Sequence, residues 1–192
     1  MANTITRVLV VVAHPDDAEF GCGGTVAKWV KEGREIAYVI LTNGDKGSAD
    51  RSMTSERLAK IRVEEQLTAA RTLGVELVEL LGYPDGELED TREVRRAVTA
   101  QIRRFRPDLI VTQNPARTSN FYASHRDHRT AGSIALDCVY PLARDHLSFP
   151  ELVAQGLEPH KVHEVYLMGA ENPEVVVDIS DTMELKLKAL AC

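Results

Sequence analysis

The sequence predicts an α/β fold in three layers, a mostly parallel central sheet with helices on both faces. Short apolar runs rich in β-branched residues alternate with longer amphipathic stretches. The spacing suits strand–helix–strand units rather than hairpins. The first run is apolar at successive positions, as a strand buried on both faces requires.

The elements follow in order. Residues 6–13 (TRVLVVVA) read as the first strand, and 24–32 as a helix behind it. Residues 35–42 (EIAYVILT) give the second strand. Residues 54–73 form a long amphipathic helix, with Thr54 as N-cap and Gly74 as its stop. A third strand spans 76–81. A helix over 91–105 ends before Pro107, and a fourth strand covers 108–113 (DLIVTQ). Residues 128–143 are expected to be helical, 144–163 loop-rich, 164–169 and 174–179 two late strands, and Ser180 to open a last helix. No internal repeat or linker interrupts the pattern, so residues 1–192 read as a single domain. Leu185, Leu187 and Leu190 on the last helix would need cover, which raises the expectation that the natural chain continues past Cys192.

Composition narrows the function. There are 23 basic against 29 acidic residues, a net charge of -6. No Lys/Arg cluster interleaves with aromatics, so no nucleic-acid partner is expected. No run reaches the roughly 18 apolar residues of a membrane span. Cys22, Cys138 and Cys192 are odd in number and far apart. They suggest neither a disulfide framework nor a cysteine metal site, and a cytoplasmic setting is expected.

Two segments carry the chemistry. "AHPDDAEFGCGG" (13–24) follows the first strand, and ligands in open α/β sheets bind beyond the carboxyl ends of strands. His14 and Asp17, three apart in a tight turn, can aim a nitrogen and an oxygen at one metal ion, leaving Asp16 free beside it. The plainer reading is helix capping by the two aspartates. The glycines admit a phosphate site at a helix N-terminus, but GCGG fits neither phosphate-loop pattern, and adjacent carboxylates repel phosphate. "ASHRDHRTAG" (123–132) follows the fourth strand at the same edge. His128 can complete a His–Asp–His set with His14 and Asp17. Three such ligands with one open position suit a catalytic zinc, although iron(II) and other divalent ions use similar sets.

The pair AHPDDAEFGCGG and SHRDH resembles the LmbE/PIG-L family of zinc-dependent N-deacetylases. "RVEEQLTAARTLGV" (62–75), "LGYPDGEL" (81–88) and "VVVDIS" (175–180) extend the resemblance over most of the chain. The resemblance implies a Rossmann-like fold and hydrolysis of the acetamide of an N-acetylglucosamine-type amino sugar or its glycoside. It implies His14, Asp17 and His128 as zinc ligands and Asp16 as general base. It further implies that His125 stabilises the transition state, that Asp127 supports a histidine, and that Arg62 and Asp85 line the substrate site. Asp127 or another carboxylate would keep His125 protonated. A trimer or hexamer is expected from the same source. This chain has Arg126 where many relatives have proline, and Ala123 where some carry a catalytic tyrosine. The competing expectation is a Rossmann-like nucleotide- or phosphate-binding module without hydrolase activity.

Overall fold

The computed structural model describes residues 4–116 and 125–192. Its elements are β1 (Arg7–Val12), α1 (Asp17–Lys31), β2 (Glu35–Thr42), α2 (Ser55–Leu73), β3 (Leu77–Tyr83), α3 (Arg92–Phe105), β4 (Leu109–Gln113), α4 (Arg126–Asp137), α5 (Pro150–Ala154), β5 (Glu164–Met168) and α6 (Met183–Leu190). The strands form one sheet in the order β3-β2-β1-β4-β5, every neighbouring pair parallel. The three-layer α/β expectation therefore holds.

Period-two alternation along β1 explains the layers. Val8, Val10 and Val12 face a core shared with Val26, Trp29, Ala70 and Leu73 of α1 and α2. Leu9 and Val11 face the opposite core, with Val98 and Ile102 of α3 and Ile134 of α4. The chain builds outward from β1 to β3, then returns through α3 to place β4 on the other side of β1. That reversal opens a crevice beyond the carboxyl ends of β1 and β4.

Capping follows the sequence closely on α2. Thr54 Oγ1 accepts the Arg57 N–H at 3.2 Å, and Gly74 ends the helix at φ 84°. Other boundaries differ from expectation. Helix α1 begins at Asp17, seven residues early, so its glycines lie inside it rather than before it. They serve close packing: a Cβ on Gly21 would come 2.5 Å from Met168 Sδ, and one on Gly24 2.6 Å from Ile179 Cδ1. Residues 174–179 are not a strand. They run irregularly past α1, leaving Val176 82% exposed, while Val177 rests on the core.

Helix α4 starts at Arg126 and stops at Asp137 rather than Ala143. Pro141 cannot donate a backbone hydrogen bond, and Tyr140 before it is extended at φ -148°, ψ 123°. On α6, Ala189 is buried and Leu185 packs on the core, whereas Leu187 is exposed, so the expected leucines do not share one face. No described helix is long and apolar enough to cross a membrane.

Candidate active site and metal centre

Strand β1 delivers His14 to the crevice through a tightly held exit. Ala13 N–H donates to Gln113 Oε1 at 3.0 Å, and Ala13 O accepts the Thr42 N–H and hydroxyl at 2.7 and 2.9 Å. The chain then turns sharply. Asp16 takes φ 89°, a left-handed conformation that Asp tolerates better than most residues. The turn folds Asp17 back, so that its Oδ2 accepts the His14 N–H at 2.7 Å.

Two ring nitrogens and the two carboxylate oxygens of Asp17 converge as a result. His14 Nδ1 lies 3.1 Å from His128 Nε2 and 3.3 Å from Asp17 Oδ2, and His128 Nε2 lies 3.0 Å from Asp17 Oδ1. A tetrahedron with zinc-like bonds of 2.0–2.1 Å has edges of about 3.3 Å. The donor set and spacing therefore fit a small divalent cation.

The far side of the His14 ring meets two more carboxylates. Nε2 is 3.0 Å from Asp85 Oδ1 and 3.3 Å from Asp127 Oδ2. Acidic partners on the second nitrogen orient a metal-binding imidazole and raise its basicity. Burial alone would depress the His14 pKa, but Asp17 and Asp85 outweigh it and hold the ring at about 10. Asp17 is correspondingly held well below the usual carboxylate range: its burial opposes this, and the His128 and His14 contacts prevail. Asp85 is also depressed, chiefly by its bond to His14. Overlapping groupings, His14–His125–His128 and His14–Asp85–Asp127, also bring ligand atoms within 4.8 Å of one another. The grouping with Asp17 uses Nδ1 of His14 and leaves Nε2 to its acidic partners.

Asp127 is fully buried, and its Oδ2 also accepts the Gly86 N–H at 2.7 Å. Its carboxylate therefore supports a histidine, as the resemblance implies, and that histidine is His14 rather than the neighbouring His125. The backbone of Asp127 engages His125 instead, its N–H donating to Nδ1 at 3.1 Å. With Nδ1 accepting, a neutral His125 carries its proton on Nε2. Burial and the nearby His14 charge push the His125 pKa down.

Asp16 stands beside the cluster with its side chain 43% exposed. Its Oδ2 accepts from Arg62 Nη2 at 2.7 Å, and the same nitrogen reaches Pro15 O at 2.6 Å. Burial raises the Asp16 pKa, outweighing Arg62. All these side chains except Asp127 line one cleft of about 1020 Å³, joined by Phe20, Lys46, Gln113, Asn114 and Met168. Of the residues singled out in the sequence, His14, Asp16, Asp17, Arg62, Asp85, His125, Asp127 and His128 are all brought together here. Positions 122–124, including Ala123, lie outside the described residues. Sequence reasoning missed Gln66 and gave Glu19 no part in the site. Gln66 sits one turn after Arg62 on α2, the spacing that could have placed it on the same face.

The family model described as "PIG-L: GlcNAc-PI de-N-acetylase" matches residues 9–139. The chain belongs to the PIG-L family. Membership makes it an amide-hydrolysing enzyme, and the candidate centre agrees with the metal dependence of PIG-L deacetylases. Among its relatives, the diacetylchitobiose deacetylase of Thermococcus kodakarensis is 36% identical over 188 residues, covering 98% of this chain and 69% of that protein. The 1D-myo-inositol 2-acetamido-2-deoxy-alpha-D-glucopyranoside deacetylase of Mycobacteroides abscessus is 32% identical, covering 97% of this chain and 80% of its own length. The N,N'-diacetylchitobiose deacetylase structure from Pyrococcus horikoshii superposes with a TM-score of 0.91 at 36% identity, over 97% of this chain and 68% of that one. The phosphate-module alternative is not favoured, since Asp16 and Asp17 front the N-terminus of α1.

Proposed function

We propose that this PIG-L chain removes the acetyl group from an N-acetylglucosamine-type glycoside, with His14, Asp17 and His128 holding zinc. Fe²⁺ is the next candidate for the same nitrogen and oxygen donors. The observation supporting this reading is the convergence of His14 Nδ1, His128 Nε2 and the Asp17 carboxylate, with contacts of 3.0–3.3 Å and Asp16 alongside but outside the set. A divalent ion there would act as a Lewis acid toward the acetamide carbonyl and make water easier to deprotonate.

The chain's own residues then act in sequence. Asp16 accepts a proton from the attacking water through the carboxylate oxygen that Arg62 leaves free. His125 donates Nε2–H to the carbonyl oxygen as it becomes an oxyanion, an interaction typically worth about 2.7–4 kcal/mol in other enzymes. The carbon–nitrogen bond breaks, acetate forms, and Asp16 returns its proton to the departing amine. Asp127 positions His14. Arg62 and Asp85, both lining the cleft, meet the sugar hydroxyls. The relatives favour a chitobiose-type substrate over an inositol glycoside by identity. Free, partly buried cysteines suit a cytoplasmic setting, and the PIG-L resemblance favours a trimer or hexamer.

A panel of N-acetylated sugars, assayed for acetate release with and without chelator, tests the reading. Diacetylchitobiose is expected to lead, and activity should return on adding zinc. Chelator-insensitive turnover, or none on any acetamido sugar, would overturn it.

A further inference from the structure

Helix α2 grips the candidate base twice. Arg62 holds the Asp16 side chain, and one turn on, Gln66 holds its backbone: Gln66 Oε1 accepts the Asp16 N–H at 2.7 Å. Gln66 is 2% exposed. Its Nε2 donates to Glu19 Oε1 at 3.0 Å, and Glu19 is 1% exposed. We infer that Gln66, locked by Glu19, is a positioning residue that keeps Asp16 in its left-handed turn and so aims the general base at the reacting water.

The donor logic fixes every orientation. A backbone N–H can only donate, so the Gln66 atom facing Asp16 must be the oxygen. The amide nitrogen must then face Glu19, which must accept. Flipping the Gln66 amide would set its NH₂ against the Asp16 N–H and leave a buried acceptor unpaired, which is costly. Glu19 prevents that flip. The need for such a lock is visible at Asp16, where φ 89° persists only if the surroundings over-determine it. Neither Gln66 nor Glu19 lines the cleft that holds the histidines. Their hydrogen bonds reach the site through the backbone of Asp16.

The inference rests on the reading of Asp16 as base, so the test separates the two. Gln66→Met removes the acceptor at similar volume, Glu19→Met releases the amide, and Glu19→Gln retains an acceptor. In zinc-loaded protein, Gln66→Met should lower kcat by roughly 10–100-fold, the scale of a misplaced catalytic group, with KM and bound zinc unchanged. Glu19→Met should fall in the same direction, and Glu19→Gln should stay within twofold of the parent. Independently of turnover, amide exchange at His14 and residues 16–18 should quicken in Gln66→Met and Glu19→Met but not in Glu19→Gln. Inactive parent protein would sink the deacetylase reading while leaving the exchange result to decide this one. An active parent with kcat unmoved in Gln66→Met, equal losses in Glu19→Gln and Glu19→Met, or unchanged exchange would overturn the inference.

Discussion

Two regions of this molecule bury charge, and they do so in opposite ways. On the α3 side, Arg103 is 2% exposed and donates to the carbonyls of Leu142, Ala143, Asp145, Ser148 and Leu157. Every acceptor is a neutral backbone oxygen, and the guanidinium pins the segment between α4 and β5 against the domain. At the carboxyl end of β1 the charges face one another instead. Asp16, Asp17, Asp85 and Asp127 crowd two histidines, and the buried atoms Asp127 Oδ1 and Glu19 Oε2 have no hydrogen-bond partner among the described residues. A satisfied buried charge is architecture. Crowded, under-satisfied charge costs stability, and its retention marks a site built for something else.

The contrast can be broken from either side. The largest effect should come from His128→Ala. Removing a ligand should weaken metal binding beyond the roughly 10–100-fold typical of losing a supporting partner, with turnover lost alongside. Elemental analysis after dialysis checks it, and full metal occupancy would erase the distinction drawn here. Next, Asp16→Asn should lower kcat by about 10²–10⁴-fold while metal content and the thermal midpoint hold, read by acetate release and calorimetry.

Arg103→Leu should do the reverse: a loss of about 3 kcal/mol in denaturant unfolding, from carbonyls left without their donor, with kcat/KM per folded molecule unchanged. The smallest effect is at Asp108, on the opposite edge of the sheet. Its Oδ2 accepts Thr6 N–H, Thr6 Oγ1–H and Arg7 N–H at 2.8, 2.9 and 3.0 Å. Burial opposes ionisation there, yet these donors hold its pKa below the ordinary 3.8. Its stabilisation is therefore complete above that value and is lost as pH falls through the depressed folded pKa. Asp108→Ala should cost about 1 kcal/mol at neutral pH, discounted for screening, and the gap to the parent should close in urea titrations below pH 3.8.

Much of this was legible in the chain because local rules carried it. The alternation of β1 through β4 with helices, the Thr54 and Gly74 boundaries, and the clustering of HPDD with HRDH at one edge all follow from periodicity, capping and topology. What stayed hidden depends on contacts distant in sequence. The early start of α1 needs the left-handed Asp16, and its glycines make sense only once Met168 and Ile179 press on them. Residues 174–179 have strand-like composition but leave Val175 and Val176 exposed. Asp127 looked like a partner for its neighbour His125, whereas the fold hands its carboxylate to His14, 113 positions away. Gln66 and Glu19 pass for ordinary polar residues on amphipathic helices until tertiary packing buries them together.

The positive φ of Asp16 has a practical corollary for anyone mutating this loop. Asparagine and glycine inherit that backbone shape at little expense, but alanine does not. An alanine scan would thus conflate removal of a proton acceptor with a distorted turn beneath His14 and Asp17, and would overstate the acid's share of the rate.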